Sequence, residues 1–239
     1  MKKLAVYYHI WSPPRTDIWK ILVDEQLKLL ERCGLHEHAD VACCISGPQH
    51  QAIHDFVSHV RWLEVLEHTE EESEFEGLTL KHAYQRCVND RERLLQSVAY
   101  FHTKGIRHLA SGSEGYRAMQ NVNSWRHLLE YGVLERWKDC VIELMTHDIA
   151  GINYHEVPAR HFGGNFWWAT ADYIRRLPHP LSPAFSSPDF ADSLNRERVR
   201  YEMWVGSGSP RVFNMGVGGG FGHDLYNNNI FPFIRRLLP

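Results

Sequence analysis

The sequence predicts an α/β fold in which a mostly parallel central sheet carries helices on both faces. Three observations predict it. Short apolar runs rich in β-formers alternate with longer stretches whose apolar residues recur every three or four positions, and the chain opens strand, helix, strand. Its 239 residues are enough to bury one large core. A hydrophobic content of 44% beside 23% charged residues is that of an ordinary globular chain.

Leu4 to Ile10 reads as the first strand, followed by the loop Trp11 to Thr16. From Asp17 the pattern turns helical, with Ile18, Trp19, Leu22, Val23, Leu27 and Leu30 on one face, Thr16 or Asp17 as N-cap, and Gly34 as the stop. Asp40 to Ile45 is the second strand and ends in the turn Ser46-Gly47-Pro48. Gln49 to Trp62 reads as helix, Leu63 to Leu66 as a third strand, and the acidic run Glu67 to Glu76 as a solvated loop without functional content. A helix over Leu78 to Gln96 leads into the strand Ser97 to His102. Gly105 to Asn123 reads as a surface loop, and Ser124 as the cap of a long helix through Asp139, continued by Val141 to Met145. Ile149 to Asn153 is a further strand. A helix over Asp172 to Leu177, a proline-rich loop over Pro178 to Pro188, a helix over Arg196 to Val205 and a glycine-rich segment from Gly206 to Gly222 complete the reading.

Composition narrows the function classes. A net charge of −3 argues against nucleic acid or an anionic bilayer as partner. The five cysteines form no C-x-x-C pair, which fits reduced thiols and a cytoplasmic location. The opening apolar run is too short for a signal peptide, and no stretch reaches the roughly 18 to 20 apolar residues of a spanning helix. The terminal segment Ile230 to Leu238, with Arg235 and Arg236, allows at most a peripheral membrane contact. Eight tryptophans add weight to a surface that stacks on sugars or bases.

Four local patterns carry chemistry. The strand Ser97 to His102 ends in His102-Thr103-Lys104, which sets an imidazole, a hydroxyl and an ammonium at the carboxyl edge of a sheet, where open α/β folds bind ligands. A compact ammonium there suits phosphate, although a strand finishing in a polar turn would look the same. Trp125-Arg126, read at the first turn of a helix, offers a guanidinium for a second phosphate or a carboxylate, or is a plain surface arginine. In His161-Phe-Gly-Gly-Asn-Phe-Trp-Trp168, the glycines permit close backbone approach and Asn165 offers both a donor and an acceptor. Strand alternation sends Trp167 and Trp168 to opposite faces, so at most one meets a ligand. Glu202, in an aromatic and apolar setting, is a candidate base or a surface carboxylate paired with Arg198 or Arg200. Gly216 to Gly222 lacks the Gly-Lys-Ser/Thr ending of a phosphate loop. The histidines show no metal-binding spacing, so no metal ligand is assigned.

Taken in order, Tyr7-Tyr8-His9, the Trp19 helix, Tyr100-Phe-His-Thr-Lys-Gly105, Trp125-Arg126, Gly163-Gly-Asn-Phe-Trp-Trp-Ala169 and Glu202 before Trp204 make the chain resemble nucleotide-sugar glycosyltransferases of the GT-A type. More narrowly it resembles rhamnan-synthesis-F-like and capsular-polysaccharide transferases. The resemblance implies a single Rossmann-like domain over 1–239, with 1–105 as the nucleotide half and 106–239 as the acceptor half. It implies transfer of a sugar, with inversion, from a nucleoside-diphosphate donor to a glycan or glycolipid hydroxyl. On this reading Glu202 is the base and Lys104 receives the leaving diphosphate. His9, Ser46, Gly47, His102, Thr103, Lys104 and Arg126 line the donor site, and Gly164, Asn165 and Trp167 the sugar or acceptor site. The family's Asp-x-Asp motif, which holds Mn or Mg, is missing here. A divalent ion is therefore open, and Lys104 with Arg126 is the expected substitute. Two other classes stay open: a non-catalytic carbohydrate- or nucleotide-binding module of the same fold, and a histidine-metal hydrolase.

Overall fold

The computed structural model describes residues 2–14, 16–106, 116–157, 159–182 and 196–215, leaving aside the side chains of 116–120 and 196–198. The glycine run Gly216 to Gly222, the terminal Ile230 to Leu238 segment and most of the proline-rich loop lie outside the described residues.

Among the described residues nine strands form, in order, β1 (Leu4–Trp11), β2 (Ala39–Ser46), β3 (Leu63–Thr69), β4 (Ser97–His102), β5 (Ile149–Gly151), β6 (Tyr154–His155), β7 (His161–Phe162), β8 (Trp167–Thr170) and β9 (Val212–Asn214). Seven build one sheet in the order β3-β2-β1-β4-β8-β5-β9, and β6 and β7 pair as a small hairpin. Six of the seven run in one direction; β8 alone is antiparallel to both neighbours, β4 and β5. This is the mostly parallel α/β sandwich the pattern predicts.

Side-chain alternation divides the core into two layers. Leu4, Val6, Tyr8 and Ile10 of β1, with Phe101 of β4 and Trp168 of β8, face α1 (Ile18–Arg32), α2 (Leu35–His38), α3 (His50–Val57), α5 (Tyr116–Glu130) and α6 (Trp137–Glu143). Ala5 and Tyr7 of β1, with Val98 and Tyr100 of β4 and Trp167 of β8, face α4 (Gly77–Asn89), α7 (Ala171–Ile174) and α8 (Arg196–Trp204).

Several boundaries depart from the sequence reading, each for a local reason. α3 stops at Val57, and α4 ends at Asn89 because the Asp90 carboxylate accepts from the Leu94 and Leu95 amides and turns the chain. β3 continues through Thr69, so the acidic run begins inside the sheet. Ser124 caps nothing: α5 starts by Tyr116, and Ser124 lies inside it. The long helix expected through Asp139 is broken by a π turn over Tyr131–Glu135. That turn frees the Val133 carbonyl to accept from the buried Trp168 indole at 2.8 Å. Thr170 caps α7, its hydroxyl accepting from the Tyr173 amide at 3.2 Å.

Candidate active site

Strand order reverses between β1 and β4: the chain winds outward through β2 and β3, then crosses back to β4. The carboxyl ends of β1 and β4 therefore border the crevice where such sheets take ligands. The structure brings His9, Ser46, His102, Thr103 and Lys104 together there. Thr103 stitches the two strands, its amide donating to the His9 carbonyl at 3.1 Å and its hydroxyl accepting from the Trp11 amide at 3.1 Å. Gly47 turns the end of β2 with φ of +104°, and a Cβ there would stand 2.7 Å from the Ser12 carbonyl, so only glycine fits.

His9, Ser46, Tyr100 and His102 all point to the α4 face. His9 is buried, with Nδ1 2.9 Å from the Thr79 hydroxyl and Nε2 3.3 Å from that of Ser46. Burial pushes its imidazole down to about 4, the nearby Glu76 charge offsetting only part of that. His102 Nδ1–H donates to Glu76 Oε1 at 2.9 Å. The other Glu76 oxygen accepts from the Asn165 amide, and the Asn165 oxygen accepts from Trp167 Nε1 at 2.8 Å. Burial alone would raise the Glu76 carboxyl, but His102 beside it, with the Asn165 hydrogen bond, holds it down at about 2.

Glu76 is the residue the sequence reading missed. It closes a run of glutamates that looks solvated, yet it is only 7% exposed. The one available signal is the apolar Leu78 and Leu80 that follow it, both buried in the first turn of α4.

Lys104 sits at the rim between the two core layers and is 5% exposed. Its ammonium lies 4.3 Å from the centre of the Trp125 ring of α5 and 4.0 Å from Glu202 Oε1 of α8. The two residues singled out as catalytic, 98 positions apart in the chain (202 − 104), thus meet at the ligand edge of the sheet. Glu202 faces this cation across the rim.

Four of the expected ligand contacts, Arg126, Gly164, Asn165 and Trp167, lie behind or away from this edge. Arg126 is not at a helix start; it lies well inside α5, buried, where it donates to Glu130 at 2.8 Å, Glu25 at 3.0 Å and Asn123 at 2.6 Å. It borders a cavity of about 310 Å³ against α1, on the opposite face from His102. Trp167 and Trp168 do part to opposite faces, but both are fully buried. Trp167 stacks on Tyr100, and Asn165 is buried with φ of +57°. Gly164, with φ of +91°, brings the chain against Leu129 and Trp125, where a Cβ would stand 2.5 Å from Leu129. These three residues build the wall behind the site rather than its surface.

At this edge the His102 imidazole and the Glu76 carboxylate are committed to each other, and the Lys104 ammonium stands 4.0 Å from Glu202, a positive group that disfavours the divalent ion implied by the resemblance. Among the described residues no group of His, Cys, Asp and Glu side chains is arranged to hold a metal. All five cysteines are free thiols. No helix among the described residues is long and apolar enough to cross a membrane.

A model for a family described as "Domain of unknown function (DUF8361)" matches residues 7–212. No curated protein matches the sequence. Among solved structures, a crystal structure from Desulfovibrio desulfuricans G20, described provisionally as a nucleotide-diphospho-sugar transferase, superposes with a TM-score of 0.51 at 10% identity. The alignment covers 99% of this chain and 95% of that one. At that identity the likeness is one of fold, and it extends along nearly all of both chains.

Proposed function

The chain belongs to the DUF8361 family, and we propose that it is a glycosyltransferase moving a sugar from a nucleoside-diphosphate donor to a hydroxyl of a glycan or glycolipid. The observation that carries the proposal is the pairing of Lys104 with Glu202 at 4.0 Å on the carboxyl edge of β4, in a fold shared with a protein described as a sugar transferase. The acceptor class is the one used by the rhamnan- and capsule-assembling enzymes that its motifs resemble. Five free thiols suit a reducing, cytoplasmic setting.

The pair gives a single displacement a natural order of events. Without donor, Glu202 neutralises the Lys104 ammonium. The donor's diphosphate, carrying more negative charge, competes for Lys104 and releases Glu202. The freed carboxylate takes the proton of the acceptor hydroxyl as that oxygen attacks the anomeric carbon with inversion. The bond from that carbon to the phosphate oxygen breaks, and its electron pair leaves on the diphosphate, which Lys104 holds. His9, Ser46, Gly47, His102 and Thr103 form the donor side of the crevice. Asn165 and Gly164 act from behind, by fixing Glu76 and the Trp125 wall.

Incubation of the full chain with a panel of nucleotide sugars, following nucleoside diphosphate release with EDTA, Mn or Mg, tests the reading. Release from one donor in EDTA is the expected result. Donor binding with no release under any condition supports the non-catalytic module instead, and turnover that depends wholly on added metal refutes the ammonium's role.

A further inference from the structure

A buried nitrogen at the site remains without a role in this scheme. His102 is 6% exposed, its Nδ1–H is committed to Glu76, and its Nε2 has no hydrogen-bond partner. A buried polar atom left unpaired is costly and calls for an explanation. The environment of the ring is fully built. Glu76 stands at the start of α4, fixed through Asn165 to Trp167 of β8. Phe166 meets the ring edge-on at 5.3 Å between centres. From the opposite layer, Gln26 of α1 donates to the His102 carbonyl at 3.3 Å. The ring is held in one orientation, with a carboxylate behind one nitrogen and the other nitrogen unused, two residues before Lys104.

We infer that His102 is a proton-linked anchor for the donor's diphosphate: an anion at Lys104 draws a proton onto Nε2, and Glu76 stabilises the imidazolium so formed. The Nε2–H then donates to a phosphate oxygen, and during transfer it stabilises the electron pair arriving on that oxygen. The inference rests on the transferase reading for the identity of the anion, but the proton linkage is a property of the site itself. Glu76 here is a positioning residue, acting only through His102.

The groups able to compete for that proton are known from the packing. They are Glu76 at the start of α4, His9 on β1, Tyr100 on the same strand, and Lys104 with Glu202 of α8 at the rim. Burial raises the Tyr100 hydroxyl well above its ordinary range, so it already carries its proton at neutral pH. Glu76 is held ionised by its two hydrogen bonds, and His9 is occupied by Thr79 and Ser46. Of these groups at the site, His102 is the one that combines an unpaired ring nitrogen with an adjacent carboxylate.

The test is calorimetric titration of the full chain with sodium pyrophosphate, and separately with UDP and GDP, in EDTA near pH 7.5. Two buffers of different ionisation enthalpy measure the protons taken up. The expected result is net uptake approaching one proton per bound pyrophosphate, with affinity weakening up to tenfold per pH unit as pH rises. His102→Gln should bind at least tenfold more weakly with no uptake, and Glu76→Gln should lower both uptake and affinity. No pyrophosphate binding, proton-neutral binding by the natural protein, or uptake that survives His102→Gln but vanishes in His9→Gln overturns the anchor. Donor turnover with proton-neutral pyrophosphate binding overturns the anchor alone. Proton-linked pyrophosphate binding without turnover of any donor supports the anchor and removes the transferase reading.

Discussion

On one face of the sheet Arg126, Glu130, Gln26 and Tyr8 form a buried charged cluster that the half-exposed Glu25 caps from outside; on the other, His9, Glu76, His102, Asn165 and Trp167 form a second. In the first, Arg126 grips two carboxylates, Gln26 donates to Glu130 at 2.8 Å, and Tyr8 donates to Gln26 at 2.6 Å. Its cation is matched by anions from its own and a neighbouring helix. In the second, a single buried carboxylate is matched by one imidazole, and that imidazole keeps a nitrogen unpaired at the ligand edge. Each cluster leaves a buried nitrogen without a hydrogen-bond partner, Arg126 Nε in the first and His102 Nε2 in the second, but only in the second does it belong to a residue at the carboxyl end of β4. The first cluster matches its guanidinium with two carboxylates and ties α1 to α5, whereas the second sets one carboxylate against one imidazole beside the crevice.

This contrast can be broken at several points. The largest effect belongs to the rim itself: Glu202→Gln should lower transferase turnover by about 10²- to 10⁴-fold while leaving the melting temperature nearly unchanged. Near-normal turnover would remove Glu202 as the base. In the Arg126 cluster, Arg126→Ala should destabilise the fold by about 3 kcal/mol, lowering the melting temperature by roughly 6 to 12 °C, since Glu130 is left buried without its cation. Pyrophosphate affinity should survive in that variant at temperatures where it stays folded. If affinity is lost there, Arg126 belongs to the donor site after all.

Acid should act through the His9–Glu76 cluster. His9 is held down to about 4 in the fold, so the unfolded chain takes up its proton first and stability falls as pH drops from about 6.5 to 4. Glu76 is held at about 2, so its contribution is complete above its unfolded value and is lost as pH falls from about 4.5 to 2. Denaturant unfolding over this range should show two descending steps, with Glu76→Gln abolishing the lower one; an unchanged lower step would place the acid sensitivity elsewhere. The smallest effect is expected of Trp167→Phe, which leaves the buried Asn165 oxygen unpaired and should cost about 1 to 3 kcal/mol in chemical denaturation.

How far the sequence could be read follows the same division. Strands β1, β2 and β4 were legible because their apolar runs are continuous, and the edge triplet His102-Thr103-Lys104 was legible because polar residues abruptly end such a run. Glu202 stood out as one carboxylate among aromatic residues. Glu76 was hidden for the opposite reason. Five glutamates precede it between 67 and 74, and only the tertiary closure of α4 on β4 distinguishes the buried member from its solvated neighbours. Arg126 was misjudged because Ser124 carries a helix-start signal that the longer helix from Tyr116 overrides. The burial of both Trp167 and Trp168 was equally invisible, since it requires layers on both faces of β8 drawn from residues far away in the chain.

The reversed strand β8 has one further consequence. It is paired along both edges, between β4 and β5, so its amides exchange with solvent only when the sheet itself comes apart. Because it runs against its neighbours, its first residue rather than its last lies at the ligand edge, and Asn165 hangs just ahead of that end. The bracket that orients the Glu76 carboxylate is thereby moored to a strand protected along both edges, and deuterium should reach Trp167 and Trp168 long after it has labelled the rim.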